Sequence, residues 1–290
     1  MKVLVLGGTR YVGRHLVREL LSAGHDVTIA TRGKAPDDFQ RQVRRKIVER
    51  QDPDSLSAAF GSEFYDVVVD NLAYSSDDVR FLLDAVHINK YVMTSTASVY
   101  RDFHMNLQEA EFDAKNAPLK WCGRDQDAYD ESKRQAESAL LQAYPDLASV
   151  VVRFPWIFGA DDYTNRLLFY VEHILNARPM NMDNGDARLA FIHSLEAGRF
   201  LAWCAESPVQ GVMNASSCGT ISLGEILDYA QRRMGKKAIL DVCGEPAPLN
   251  GVPSFSLDTA AARQSGFTFQ PISQWLYPLI DCWDEALGTA

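Results

Sequence analysis

Tyr129 and Lys133, four positions apart, have the clearest chemical use of any pair in this sequence. They open the stretch Tyr129-Asp130-Glu131-Ser132-Lys133, which continues at helical spacing through Ala136, Ala139, Leu140 and Ala143. On a helix, positions i and i+4 share one face. A free tyrosine, with a pKa of about 10, is a poor base near neutrality. A neighbouring ammonium and an oxidised nicotinamide both favour the phenolate and lower that value. Tyr129 would then take a proton from a substrate hydroxyl, or return one to a carbonyl, while hydride moves to or from a cofactor. The hydroxyl run Ser95-Thr96-Ala97-Ser98 precedes the pair, and Thr96 is placed to hold the same oxygen. A bare Tyr-x-x-x-Lys is common on surface helices; its weight here comes from its place in the chain.

That place is set by alternating strands and helices. Lys2 to Leu6 is a short apolar run, followed at once by Gly7-Gly8-Thr9-Arg10-Tyr11-Val12-Gly13 and an amphipathic segment to Ala23. Strand, glycine turn and helix start suit a dinucleotide. Gly7 permits the turn, Gly8 keeps a side chain away from phosphate, and Gly13 lets the helix pack on the sheet, with the pyrophosphate on free N–H groups of the helix start. Arg10 stands where a Gly-x-x-Gly-x-x-Gly pattern has its middle glycine, and an ordinary strand-turn-helix without a ligand is the plainer alternative. A second strand, Val27 to Ala30, runs into Thr31-Arg32-Gly33-Lys34. An acidic residue there grips a ribose 2′-hydroxyl, whereas an arginine accommodates a 2′-phosphate. Arg32, with Arg10 and Lys34, therefore suggests NADP, with NAD as the other option; solvated turn residues are the bland reading.

Ile47-Val48 reads as a weak third strand after a solvated basic face (Arg41, Arg44, Arg45, Lys46), and Glu49 to Asp52 beyond it can reach an adenine edge. Asp66 to Asp70 is a fourth strand, Val79 to Val86 a helix and Lys90 to Thr94 a fifth strand that delivers Thr96. The alternation predicts an α/β fold: a doubly wound parallel sheet of Rossmann type with a smaller C-terminal substrate lobe. The expected division is 1–159 with 188–215 for the dinucleotide-binding domain, and 160–187 with 216–290 for the lobe. Helices are expected over Ser194 to Glu206, Leu223 to Met234, Asp258 to Ser265 and Ile272 to Leu287. Asn165 and Arg166 sit near a helix start, either binding an anionic substrate group or forming a capped helix with a surface arginine. Trp121, Arg124 and Trp156 are candidate pocket residues, with core packing as the alternative for the two tryptophans.

Bulk properties narrow the classes. The net charge of −9 argues against general nucleic-acid binding. No apolar run approaches the roughly 20 residues of a membrane span, and the apolar start reads as a strand rather than a signal peptide. The five cysteines (Cys122, Cys204, Cys218, Cys243, Cys282) are scattered and lack metal-type spacing. They read as reduced, mostly buried thiols of a cytoplasmic protein, and no metal is expected.

Taken together, the sequence resembles the extended short-chain dehydrogenases/reductases of the NAD(P)-dependent epimerase/dehydratase type over nearly its whole length. Gly7, Gly8 and Gly13 match the cofactor loop, Thr96 the catalytic Ser/Thr upstream of Val99-Tyr100, and Tyr129 with Lys133 the active-site pair. Arg153-Phe154-Pro155 with Phe158-Gly159 resembles the stretch after the sixth strand, and Phe191-Ile192-His193 and Ile221 to Glu225 resemble later family stretches. The resemblance implies cofactor contacts at Gly7 to Gly13, Arg32, Asn71, Leu72, Lys133 and Phe154. It implies substrate contacts at Arg124, Asn165, Arg166 and Arg188, the last near a diphosphate-binding arginine but one residue out of register. It further implies an oxidoreductase or epimerase acting on a sugar nucleotide or similar hydroxyl or keto compound, and a homodimer. Ala97 and Ser98 replace the Asp-Glu pair of the 4,6-dehydratases, which disfavours water elimination. The Gly-Gly-Thr-Arg and Thr-Arg-Gly-Lys stretches also resemble a divergent branch, the chloroplast stem-loop RNA-binding proteins and their bacterial relatives. That branch suggests the alternative of an RNA-binding or regulatory protein; the plant members lack the Tyr-x-x-x-Lys pair that this chain carries.

Overall fold

Seven parallel strands form the centre of the molecule, a computed structural model that describes residues 1–287. They are β1 (Lys2–Leu6), β2 (Asp26–Thr31), β3 (Arg44–Ile47), β4 (Phe64–Asp70), β5 (His87–Thr96), β6 (Ala148–Phe154) and β7 (Gly211–Asn214). Their order is β7-β6-β5-β4-β1-β2-β3, and every pairing is parallel. The order reverses between β1 and β4, and ligands bind such sheets in the crevice at that reversal, outside the strands' C-terminal ends. The inner strands read as apolar runs because both faces are covered: Val3, Leu4, Val5, Val68 and Val69 are fully buried.

One face is covered by α1 (Tyr11–Ser22) and α6 (Ser194–Glu206), the other by α2 (Pro53–Phe60), α3 (Ser76–Ala85) and α4 (Tyr129–Ala143). Leu16, Val17, Phe200 and Leu201 pack on the first face; Leu56, Phe60, Val79, Leu82 and Leu140 on the second. A third apolar cluster joins α5 (Arg166–Leu175), α7 (Leu223–Met234) and the C-terminal helix Ser273–Leu287 through Val171, Ile174, Ile226, Leu227, Leu276 and Ile280. It lies beyond the C-terminal ends of β5 and β6, because Tyr100, Phe158 and Phe191 belong to it.

Two sequence expectations need correction, and one helix was not expected at all. The third strand is Arg44–Ile47, so the basic run is itself an edge strand and Val48 lies beyond it. Arg44 and Arg45 point outward to Asp26 and Asp37, which is why this strand lacks an apolar pattern. Helix α2 went unread, although Asp52 caps it and Pro53 opens it, a common start pattern. The cysteines are not mostly buried: Cys122 and Cys204 are, while Cys218, Cys243 and Cys282 are exposed.

Candidate active site

The turn between β1 and α1 is held by glycine at two points. Gly7 has φ +79°, a left-handed conformation that favours glycine, and its N–H donates to the Ala30 carbonyl at 3.3 Å. At Gly13 a Cβ would lie 1.8 Å from the Gly7 carbonyl oxygen, so α1 rests directly on the turn. Arg10 is the N-cap, extended and without a side-chain capping bond, which leaves the first N–H groups of α1 without a side-chain partner. Gly8 differs from expectation. A Cβ there would meet Ile29, Val17 and Val5, so its missing side chain makes room for the core and not for a phosphate.

A cavity of about 830 Å³ runs from this turn across the ends of the strands. Thr9, Arg10, Tyr11, Val12 and Gly13 line one end with Arg32 and Lys34; Thr96, Ser98, Tyr129, Lys133 and Phe154 line the middle. Asn71 and Leu72 follow β4 along its wall. Among the described residues, the side chains of Arg10, Arg32 and Lys34 make no ion pair or hydrogen bond, so three cations border this end uncompensated.

Thr96 ends β5, and its hydroxyl accepts from the Ser98 N–H at 3.2 Å. Tyr129 is the first residue of α4 and is half exposed to the cleft. Partial burial pushes its pKa up to about 12, with Tyr74 adding to the rise; hydrogen bonding from Thr96 and the charge of Arg166 pull it down. Lys133, one turn on, is 2% exposed. Its Nζ donates to the Ala73 carbonyl at 2.8 Å and the Thr94 carbonyl at 2.9 Å, and lies 4.6 Å from the Tyr74 ring centroid. Burial lowers the Lys133 pKa to about 8, against the pull of Asp70 and Asp78. The sequence reading made Lys133 the group that lowers the Tyr129 pKa. In this structure it hydrogen-bonds to backbone carbonyls, and the Tyr129 pKa lies above the usual value.

Beneath this pair lies a charge cluster that sequence reasoning missed. Arg50 grips Asp70 with two bonds of 2.8 and 2.5 Å and lies 3.2 Å from Asp78, all three being buried. Tyr91 Oη donates to Asp70 at 2.6 Å, and the Leu72 N–H does so at 2.8 Å. Arg124 lines the cavity, but its guanidinium is held by Asp78 at 2.8 Å and the Leu72 carbonyl at 2.8 Å. The sequence cue was present in Asp70, a carboxylate inside an apolar strand, which needs a buried cation.

The remaining candidates divide. Arg166 and Trp156 line the cavity; Asn165 does not, and caps α5 with φ +54° and no side-chain bond. Arg188 lies outside, bonded to the Thr220 carbonyl at 2.7 Å and to Glu225 at 3.1 Å. Trp121 also lies outside, under Arg80. Tyr74, Phe103 and Phe255 line the cavity with no sequence motif to mark them. Among the described residues, no cluster of His, Cys, Asp or Glu could hold a metal ion, and no helix is long and apolar enough to cross a membrane.

A parallel sheet in this order, with a glycine turn and an uncapped helix start at its crevice, defines a dinucleotide-binding fold. The chain belongs to the NAD dependent epimerase/dehydratase family, which matches residues 3–216. It is 27% identical over 203 residues to the chloroplast stem-loop binding protein of 41 kDa b from Arabidopsis thaliana, covering 65% of this chain and 50% of that one. It is 29% identical over 209 residues to 2′-dehydrokanamycin reductase from Streptomyces kanamyceticus, covering 70% and 57%. The chain thus spans about half the length of these two curated relatives. Among solved structures, UDP-glucose 4-epimerase from Thermotoga maritima with UDP-glucose superimposes with a TM-score of 0.78 at 15% identity, covering 99% of this chain and 100% of that one. The Thermus thermophilus UDP-glucose 4-epimerase complex with NAD gives 0.73 at 19% identity, covering 99% and 100%. At these identities the likeness is one of fold.

Proposed function

We propose that this chain is an NADP-preferring oxidoreductase or epimerase acting on a hydroxyl or keto compound, with Tyr129 as proton donor and acceptor. The observation that carries this reading is the arrangement of Tyr129, Thr96 and Lys133 on one cavity that begins at an uncapped helix start. The residues present fit a dinucleotide. The α1 N-terminus and the Gly7 turn suit the pyrophosphate, and the unpaired Arg10, Arg32 and Lys34 suit a 2′-phosphate. Lys133 has three donors and spends two on carbonyls, which leaves one N–H for a ribose hydroxyl.

When bound, the nicotinamide supplies or accepts the hydride and is the redox partner of the substrate. Tyr129 and Thr96 hold the reacting oxygen between their hydroxyls. In the reducing direction Tyr129 gives its proton to that oxygen, and its raised pKa keeps it protonated for the task. In the oxidising direction it must become a phenolate, which the Thr96 hydrogen bond and the Arg166 charge favour. Arg166, without an ion-pair partner among the described residues, offers an anchor for an anionic group of the substrate. Ala97 and Ser98 supply no carboxylic acid, so elimination is not part of the proposal. Tyr129→Phe is expected to lower NADPH-dependent turnover of a carbonyl panel by about 10²–10⁴-fold at unchanged NADPH affinity; retained turnover refutes the assignment.

The stem-loop binding protein among the relatives favours a second reading, binding of structured RNA. The net charge of −9 weighs against it. A shift of stem-loop RNA that weakens steeply with salt would support it, and no shift at low salt would remove it.

A further inference from the structure

The substrate end of the cavity has a composition that a sugar nucleotide does not suit. Thr96 pairs with Phe154 in the β5–β6 ladder, so Trp156 and Phe103 leave the sheet where the oxygen-binding hydroxyl sits. There the Phe103 and Phe255 rings stack at 4.7 Å and 19°, and Trp156 stands edge-on to both, at 6.3 and 5.4 Å. Phe255 is fully buried and forms the back wall, while Phe103 and Trp156 are half-buried. All three line the same cavity as Thr96 and Tyr129.

The polar inventory points the same way. Among the described residues, the only carboxylate and side-chain amides lining the cavity are Glu49, Gln51 and Asn71, at the ends of β3 and β4. A sugar ring seated against Phe103, Trp156 and Phe255 would present its hydroxyls to rings, and hydroxyls buried without partners are costly. A diphosphate needs several cations. Arg50 and Arg124 are committed to Asp70 and Asp78, Lys133 to carbonyls, and Arg188 lies outside. Among the described residues only Arg166 is left on this side, one guanidinium for two phosphates. At about 830 Å³ the cavity is also the size that holds one ligand of moderate size, so a dinucleotide leaves room for a small partner only.

Resting on the nicotinamide-dependent reading above, we infer that the substrate is a small aromatic ketone or alcohol, its ring on Phe103, Trp156 and Phe255, its reacting oxygen on Thr96 and Tyr129, and its acidic group on Arg166. In reduction the carbonyl carbon gains the hydride and its C=O π bond breaks. The oxygen gains the Tyr129 proton, which solvent replaces, and the reduced nicotinamide is the compound oxidised.

Calorimetry tests this with benzoylformate, an acidic phenyl ketone, and UDP-glucose as alternative titrants of the NADP+-loaded protein, in which the ketone finds no hydride donor and binds without turning over. Benzoylformate is expected to bind saturably and more tightly than UDP-glucose. Phe103→Ala and Trp156→Ala should each weaken it about tenfold, 1.4 kcal/mol, the scale of one lost ring contact. Phe103→Leu keeps the apolar bulk, guards against a folding artefact, and should weaken it too. Tighter binding of UDP-glucose, no saturable binding of benzoylformate, or binding unchanged in these variants overturns the inference and leaves the cofactor reading standing. NADPH is titrated alone beforehand, and its failure to bind removes both.

Discussion

Arg50→Met replaces a buried guanidinium by an apolar chain of similar length. The change leaves Asp70, which is fully buried, with only the Tyr91 hydroxyl and the Leu72 N–H as partners, and leaves Asp78 to Arg124. Removing one member of a buried ion pair costs about 3–5 kcal/mol, because the other charge stays desolvated. For a chain of this size about 1 kcal/mol moves the melting point by roughly 2 °C, so a fall of about 6–10 °C is expected in a thermal melt. The double variant Arg50→Met with Asp70→Asn removes the orphaned charge and should recover at least half of that loss. The same change reaches the site. Asp70 fixes Leu72, and the neighbouring Ala73 carbonyl holds Lys133, so NADPH affinity should fall along with stability. A single variant that melts with the wild type and binds NADPH equally well would refute the idea that this cluster supports the cleft.

The pH dependence of reductive kcat/KM should follow Lys133 before Tyr129. Lys133 loses its charge through a pKa of about 8 and Tyr129 through about 12, so activity should decline above about pH 8, and Lys133→Arg should move that decline upward. Stability carries the opposite sign for the two groups. Lys133 binds its proton less tightly when folded, so its contribution improves as pH rises from about 8 towards 10.5. Tyr129 binds its proton more tightly when folded, so its contribution is complete below pH 10 and is lost as pH rises through about 12. A melt series from pH 7 to 12 checks both. Gly13→Ala places a Cβ at 1.8 Å from the Gly7 oxygen, where contacts under 3.0 Å are not tolerated, so the turn must open and NADPH binding should be lost; unchanged affinity would contradict the packing described.

Much of the scaffold was legible because buried parallel strands read as apolar runs, as in Lys2–Leu6 and Phe64–Asp70. Strand β3 was not, since it is an edge strand whose arginines pair with Asp26 at the start of β2 and with Asp37. Tyr129, Lys133 and Thr96 could be singled out because local spacing and order along the chain carry their signal, and the structure places all three on one cavity. Phe103, Trp156 and Phe255 were not found as a group, because only the tertiary fold brings such distant positions together. Arg50 fell within the Glu49 to Asp52 stretch expected to reach an adenine edge; its burial depends on Asp70 and Asp78, which lie on a different strand and helix. Gly8 shows the converse. The motif placed it beside a phosphate, while the reason for a glycine there comes from Ile29 and Val17 in the core.

The most direct measurement is calorimetric titration of the protein with NADPH and with NADH. Three exposed cations, each contributing about 0.2–1 kcal/mol to a 2′-phosphate, correspond to a preference of roughly 3- to 150-fold. Saturable NADPH binding, tighter than NADH and narrowed by Arg32→Ala, is the expected result. Equal or tighter binding of NADH would assign Arg32 and Lys34 to solvent, and binding of neither nucleotide would contradict a nicotinamide site at the Gly7 turn.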